Sequence, residues 1–228
     1  MLDPACAGMI LAVKTYVRPD GRRFVWDPDN ESLAGVATDV YCTVEASEIE
    51  SYSALGFNVH RREATYLVPT RSARADAAQG IVFVHADEVD ETNLRLLDNE
   101  LRQDVPGTDG WEWTEADFRK ETYEAADFDP KTYLAALDSE TGEYVGIVRV
   151  WMKQPTPRLG FIGVRRRYRR RGIASALLAE VFARLAKRGI GEVSTEIDET
   201  NTASRALLEG FGARRTGTSV ELIRRQPS

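Results

Sequence analysis

The sequence predicts a mixed α/β fold, and three observations carry that reading. From Ile81 onward, short β-branched runs alternate with amphipathic stretches of helical period. Their order is β-α-α-β-β-β-α-β-α-β. The step from a strand at 159–164 through a long helix to a strand at 193–197 reads as a crossover between parallel strands.

The elements follow in order. Residues 81–85 are a β-branched strand. Residues 90–102 place Leu94, Leu97 and Leu101 on one helical face, and Pro106-Gly107 ends that helix. Thr114 stands as N-cap of a second helix with Glu115 and Asp117 in its first turn. Strands at 132–137 and 143–151 are joined by a turn around Ser139-Glu-Thr-Gly142, and a strand at 159–164 follows Pro155 and Pro157. Ile173, Leu177, Leu178, Val181 and Leu185 keep the helical period over 172–188, with Gly189 placed to cap the C-terminus. A strand at 193–197, a short helix at 201–209 and a strand at 213–223 complete the series.

Composition bounds the function. The chain has 228 residues, 43% hydrophobic and 29% charged, enough to bury a core without disulfides or a structural metal. Thirty basic against thirty-six acidic side chains leave a net charge of -6, which argues against a dedicated nucleic-acid binder. Cys6 and Cys42, with only His60 and His85, make neither a disulfide framework nor a Cys/His zinc site, so no metal is expected. No apolar run approaches the ~18 residues of a membrane span. The stretch 5–13 is short, contains Gly8 and follows Asp3, so neither a signal peptide nor a membrane partner is expected, and the expected compartment is the cytoplasm.

The chemistry concentrates where strand 159–164 runs into Arg165-Arg-Arg-Tyr-Arg-Arg-Arg-Gly-Ile-Ala174. The first N–H groups of a helix lack intrahelical partners, and the helix dipole places positive charge there. Gly172 lets an anion approach the backbone, and six arginines within 165–171 add a positive field. The run is neither a P-loop nor a Gly-x-Gly-x-x-Gly site. A blander reading makes it a nucleic-acid or localisation patch, with some arginines merely solvated.

Arg169-Arg-Arg-Gly172-Ile-Ala174 after Val164, with Glu196-Ile-Asp-Glu-Thr-Asn201 and Ala206-Leu-Leu-Glu-Gly-Phe-Gly212 downstream, resembles the GNAT acyltransferases over roughly residues 80–226. The resemblance implies a GNAT-type mixed sheet flanked by helices. It also implies transfer of an acetyl group from acetyl-CoA, as cosubstrate, to an amine. By the same resemblance, main-chain groups of Ile162, Gly163 and Val164 would bond the pantetheine arm where strands splay. Backbone amides of Arg169, Arg170, Arg171, Gly172, Ile173, Ala174 and Ser175 would hold the pyrophosphate. Asn201 would contact the cofactor arm, although Asn also favours a plain N-cap. Val164 N–H would meet the developing oxyanion.

One departure stands out. Where family members often carry a Tyr as general acid, this chain has Leu208, which cannot donate a proton. Tyr168 is a weak substitute, since that position usually packs structurally. Glu196 is the candidate base, against the alternative of a solvated strand carboxylate. The stretch from Trp111 to Asp129 is either an acidic acceptor wall suited to a cationic amine or a core with solvated acids.

The first eighty residues carry an echo. Ser53-Ala-Leu-Gly-Phe57 followed by 58–68 resembles Glu209-Gly-Phe-Gly212 followed by 213–223. With Gly56 on Gly212, Tyr52 falls on Leu208 and Glu45 on Asn201, while Val17 to Arg22 echoes Val164 to Arg169. Residues 1–72 thus read as a partial, degenerate GNAT-like half-domain, separated by a small polar stretch at 69–80 from a GNAT domain at 80–226. It lacks Arg-x-x-Gly-x-Ala, so it is expected to pack against its neighbour's sheet or acceptor cleft rather than bind cofactor.

The favoured function is N-acetylation of a small-molecule or peptide amine by direct attack in a ternary complex. A non-catalytic acyl-CoA-binding module and a nucleic-acid protein using the arginine run are the competing readings. Oligomeric state, a homodimer included, is left open.

Overall fold

A computed structural model describes residues 15–25, 28, 33, 38–71 and 79–226. In chain order its elements are β1 Thr15–Val17, β2 Arg23–Val25, β3 Val40–Glu45, α1 Ile49–Ser53, β4 Asn58–Pro69, β5 Ile81–His85, α2 Glu91–Arg102 and α3 Glu115–Thr122. There follow β6 Tyr133–Asp138, β7 Tyr144–Trp151, β8 Arg158–Val164, α4 Ile173–Lys187, β9 Glu192–Asp198, α5 Thr202–Glu209 and β10 Arg214–Arg224. From β5 onward, every expected element is present in the expected order. The stretch 5–13 and Cys6 lie outside the described residues.

The chain divides into two compact units, Met1–Glu63 with Thr218–Ser228, and Ala64–Gly217. In the first, β3 pairs antiparallel with β10 from Ser219↔Glu45 to Arg224↔Val40, while β2 pairs parallel with β3. The strand alternation of β3 buries Val40, Cys42 and Val44. These pack with Phe57, Val220 and Leu222 into one small core. The opposite face carries Tyr16, Phe24, Tyr41 and His60 as a ladder of rings 5.3–5.5 Å apart.

The second unit is a mixed sheet in the order β10-β4-β9-β8-β7-β6-β5. β5 to β8 run antiparallel to their neighbours, and β8 pairs parallel with β9. α4 contributes Ile173, Leu177, Leu178, Val181, Phe182 and Leu185 to the larger core, where they meet Leu159, Val164, Val193 and Ile197 of the strands. α2 supplies Leu94, Leu97 and Leu101 to a second core, against Tyr133, Ala135, Ile147 and Phe161. The expected caps are present. Asp90 and Thr114 accept from the N–H groups of Asn93 and Asp117, and Gly189 has φ 81°.

The boundary between the units falls inside β4 and β10 rather than near residues 72–80. The strand that follows α1 finishes in the second unit, and the strand that follows α5 finishes in the first. Pro69 still belongs to β4, and Thr70 is tied to Gly191 and Ile190 by bonds of 3.0 and 2.6 Å, so the ordered strand overruns the start of the expected linker. Of that linker, residues 72–78 lie outside the described residues.

The internal echo is structural at its best-aligned stretch. Gly56 and Gly212 both sit in the left-handed region, at φ 85° and 79°. Phe57 N–H bonds to Tyr52 O, as Ala213 N–H bonds to Leu208 O, and Gly56 N–H bonds to Ser53 O, as Gly212 N–H bonds to Glu209 O. Both helix ends therefore use the same glycine-terminated turn to enter the next strand. Val17 to Arg22 instead forms the turn of a hairpin, since β1 pairs antiparallel with β2.

Candidate active site

β8 is hydrogen-bonded differently on its two edges. Its pairing with β7 runs to Gly146↔Val164. Among the described residues its pairing with β9 is confined to Arg158↔Ser194, supported by Ser194 N–H to Pro157 O at 2.8 Å and Thr195 Oγ1 to Leu159 O at 2.9 Å. Past Leu159 the two parallel strands part, leaving the β9-side edge of β8 for another partner. An extended chain with amide groups could dock there as a strand would.

The opening leads into a cavity of about 360 Å³. Ile162, Gly163 and Val164 form one wall, Arg169, Arg170, Gly172, Ile173, Ala174 and Ser175 the end, and Asn201 the wall from α5. All the expected cofactor-binding residues but Arg171 thus surround one space. Arg171 does not line it; its guanidinium lies 5.1 Å from the Tyr168 ring. Glu196 does not line it either.

The end of the cavity is built for an anion. Arg170 at φ 63° and Gly172 at φ 75° are both left-handed, a pattern that turns consecutive N–H groups toward one point. The first bond of α4 runs from Ala176 N–H to Gly172 O at 2.9 Å, so the N–H groups of Ile173, Ala174 and Ser175 have no partner within the helix. A Cβ at Gly172 would meet nothing within 4 Å, so the need for glycine there is the backbone angle and the open approach to the amides.

The arginine run divides by partner. Arg165 is bonded to Glu100 and Glu143, Arg167 to Glu143, and Arg166 and Arg169 to Asp104. Arg169 Nε also donates to Val164 O at 2.8 Å. Arg170 and Arg171 make no ion pair among the described residues, and of the two Arg170 lines the cavity. Asp104 lines the cavity, and its hydrogen bonds from Arg166 and Arg169 hold its carboxyl below the usual range.

The remaining candidates are placed as follows. Asn201 caps α5, accepting from Ser204 N–H at 3.1 Å, while also lining the cavity, so both of its expected roles share one position. Tyr168 packs in the larger core and also lines the cavity, its single O–H shared between Asp138 and Glu143 at 3.2 and 3.1 Å. Leu208 is in the larger core. Glu196 accepts from Arg158 Nε at 2.5 Å. In the stretch 111–129, Trp113 and Phe118 are core, while Glu115 and Asp117 occupy the first turn of α3 and Asp129 pairs with Arg188.

Sequence reasoning missed Leu101, Asp104 and Val105, which the end of α2 and the following loop bring to the cavity. It also missed Ala203, Ser204 and Leu207 of α5. Their only signal was periodicity, which gives a face but not what the face looks at. Among the described residues no cluster of metal-ligating side chains is present, and no helix is long and apolar enough to cross a membrane.

A family profile described as the acetyltransferase (GNAT) family matches residues 95–213, just over half of the chain. A GCN5-related N-acetyltransferase from Sphaerobacter thermophilus superposes with a TM-score of 0.73 at 21% identity, over 94% of this chain and 76% of that one. A GCN5-related N-acetyltransferase from Kribbella flavida gives 0.60 at 12% identity, over 95% and 91%. A tandem GNAT protein from the clavulanic acid biosynthesis pathway gives 0.61 at 15% identity, over 84% of this chain and 65% of that one. At these identities the likeness is one of fold. No curated protein matches the sequence.

Proposed function

Because the chain belongs to the GNAT family of acetyltransferases, we propose that it uses acetyl-CoA to acetylate a primary amine by direct attack in a ternary complex. One observation carries this reading: the open edge of β8 and the amide cradle before α4 bound a single cavity. An amide-bearing arm ending in a diphosphate fits that pair of features, so the residues present fit the cosubstrate.

The geometry supports the following assignment of residues. Main-chain groups of Ile162 to Val164 hold the arm, and the N–H groups at the start of α4, with Arg170, hold the diphosphate. The cosubstrate supplies an acetyl group on a good leaving group. The chain aligns the amine with it and removes a proton from the nitrogen. No cysteine lines the cavity among the described residues, so no thiol there can carry the acyl group. Glu196 is the proposed proton acceptor, reached when Arg158 releases it. With Leu208 packed in the core, positioning supplies the rate that a dedicated acid would otherwise supplement.

The test is a coupled assay of thiol release and product mass with purified protein, acetyl-CoA and an amine panel. Acetylated amine in step with free CoA is the expected result. Leu208 and the Arg158–Glu196 pair favour a second reading, a non-catalytic acyl-CoA-binding module. Saturable binding with no turnover on any amine would select it.

A further inference from the structure

The acceptor side of this site has a chemistry of its own, in the stretch of β8 before the cavity. Trp151, at the end of β7, packs its ring against Gly160. A Cβ there would sit 1.8 Å from the Trp151 ring, so the absence of a side chain is what admits the indole. Three cations surround that ring, with the Arg149 and Arg158 guanidinium carbons 4.5 and 5.3 Å and Lys153 Nζ 5.8 Å from its centroid.

Arg149 is the anomaly. It is 2% exposed, lies between the rings of Tyr133 and Trp151, and among the described residues donates only to Glu121 O. Its Nε has no partner, and it pairs with no carboxylate among the described residues. Aromatic faces favour a cation but leave its in-plane N–H groups unmet. A buried, under-bonded guanidinium is costly unless something anionic joins it.

Its position ties it to the reaction. Arg149 faces Phe161 across the β7–β8 register, next to the Val148↔Ile162 pair where the cavity wall begins. Gly160 is two residues, or ~7 Å of strand, beyond Ile162 on the side away from the phosphate cradle. There Arg158 and Glu196 form an ion pair about a third exposed. One cation and one carboxylate side by side complement a zwitterion.

The geometry points to a free α-amino acid as the acceptor, its carboxylate taken by Arg158 and Arg149 beside Trp151, its ammonium by Glu196. This rests on the acetyl-transfer reading above. Glu196 accepts one proton from the ammonium, and the neutral nitrogen attacks the thioester carbonyl. A C–N bond forms and the C–S bond breaks, with the electron pair leaving on sulfur. The second nitrogen proton ends on the thiol, and the first passes from Glu196 to solvent.

The experiment compares free amino acids with their matched α-carboxamides in the acetylation assay, alongside acetyl-CoA binding by calorimetry. Binding of the N-acetyl amino acid and of its carboxamide to the full chain is followed by saturation-transfer NMR. The free acids should be acetylated with at least tenfold higher kcat/KM, and only the N-acetyl acid should show contact. Arg149→Met and Arg158→Gln should each abolish both preferences while leaving acetyl-CoA affinity within twofold. Arg158 is partly exposed, so that variant keeps the test open if Arg149→Met fails to fold. Equal rates for acids and amides, or no turnover of any amino acid with cofactor bound, overturns this proposal and leaves the function above standing. Absence of acetyl-CoA binding instead removes the function itself.

Discussion

Gly160 and Asp104 show how single positions shape the site. A methyl group at Gly160 collides with Trp151, so Gly160→Ala must either expel the indole or bend β8. Overpacking of this kind costs about 1–3 kcal/mol. Urea unfolding should show that loss, with a shift in tryptophan emission. Asp104 titrates in a field of arginines that holds its folded pKa below the ordinary value of ~3.9. The stability it contributes is thus fully present above that value and lost as pH falls through the lower, folded pKa. Asp104→Asn should lower the urea midpoint at pH 7, and the difference from wild type should shrink on acidification to pH 3. At this scale the cradle was legible, because a glycine behind a run of arginines at a helix start marks open amides. The left-handed angles of Arg170 and Gly172 came only from the structure. Glu196 was legible only halfway. Strand alternation separates its face from that of Val193 and Ile197, but nothing in the spacing names Arg158 as its partner.

Among elements, α4 joins the site to the core. Its first turn offers free amides, and its buried face fixes where they point. Leu177 is fully buried within the larger core, and Leu177→Ala should cost roughly 2–5 kcal/mol by the cavity it leaves. Calorimetric melting would register that, and loosened packing under the cradle should weaken acetyl-CoA binding in parallel. The ends of the elements from β5 to β10 were readable to within a residue or two, since prolines, glycines and caps mark them. What each element faces was not. The loop after α2 enters the cavity with Asp104 and Val105 because α2 packs across β7 and β8, a tertiary fact with no local signature.

For the molecule as a whole, charge distribution matters more than its sum. The chain carries a net charge of -6, yet the cradle presents Arg170 with no carboxylate bonded to it among the described residues. A polyanion is repelled by the whole and attracted by the part. Screening lengths shrink from ~10 Å at 0.1 M salt to ~3 Å at 1 M, which weakens the exposed arginine contribution most. The acetyl-CoA dissociation constant should therefore rise several-fold between 0.05 and 0.5 M NaCl, as read by calorimetry. The echo of Gly56 and Gly212 was legible as a repeated helix-to-strand turn, but the passage of β4 and β10 from one compact unit to the other was not. A period-two pattern says that a strand is half-buried and not which sheet it completes.

The account turns on the amides between Arg169 and Ser175 receiving the diphosphate of acetyl-CoA. Titration calorimetry on the wild type and on Gly172→Glu tests this directly, with circular dichroism melts to show that both are folded. The account predicts saturable heat at one site per chain for the wild type and none for the variant, whose carboxylate enters the cradle. A flat titration of folded wild type, or equal affinity in the two proteins, would contradict it.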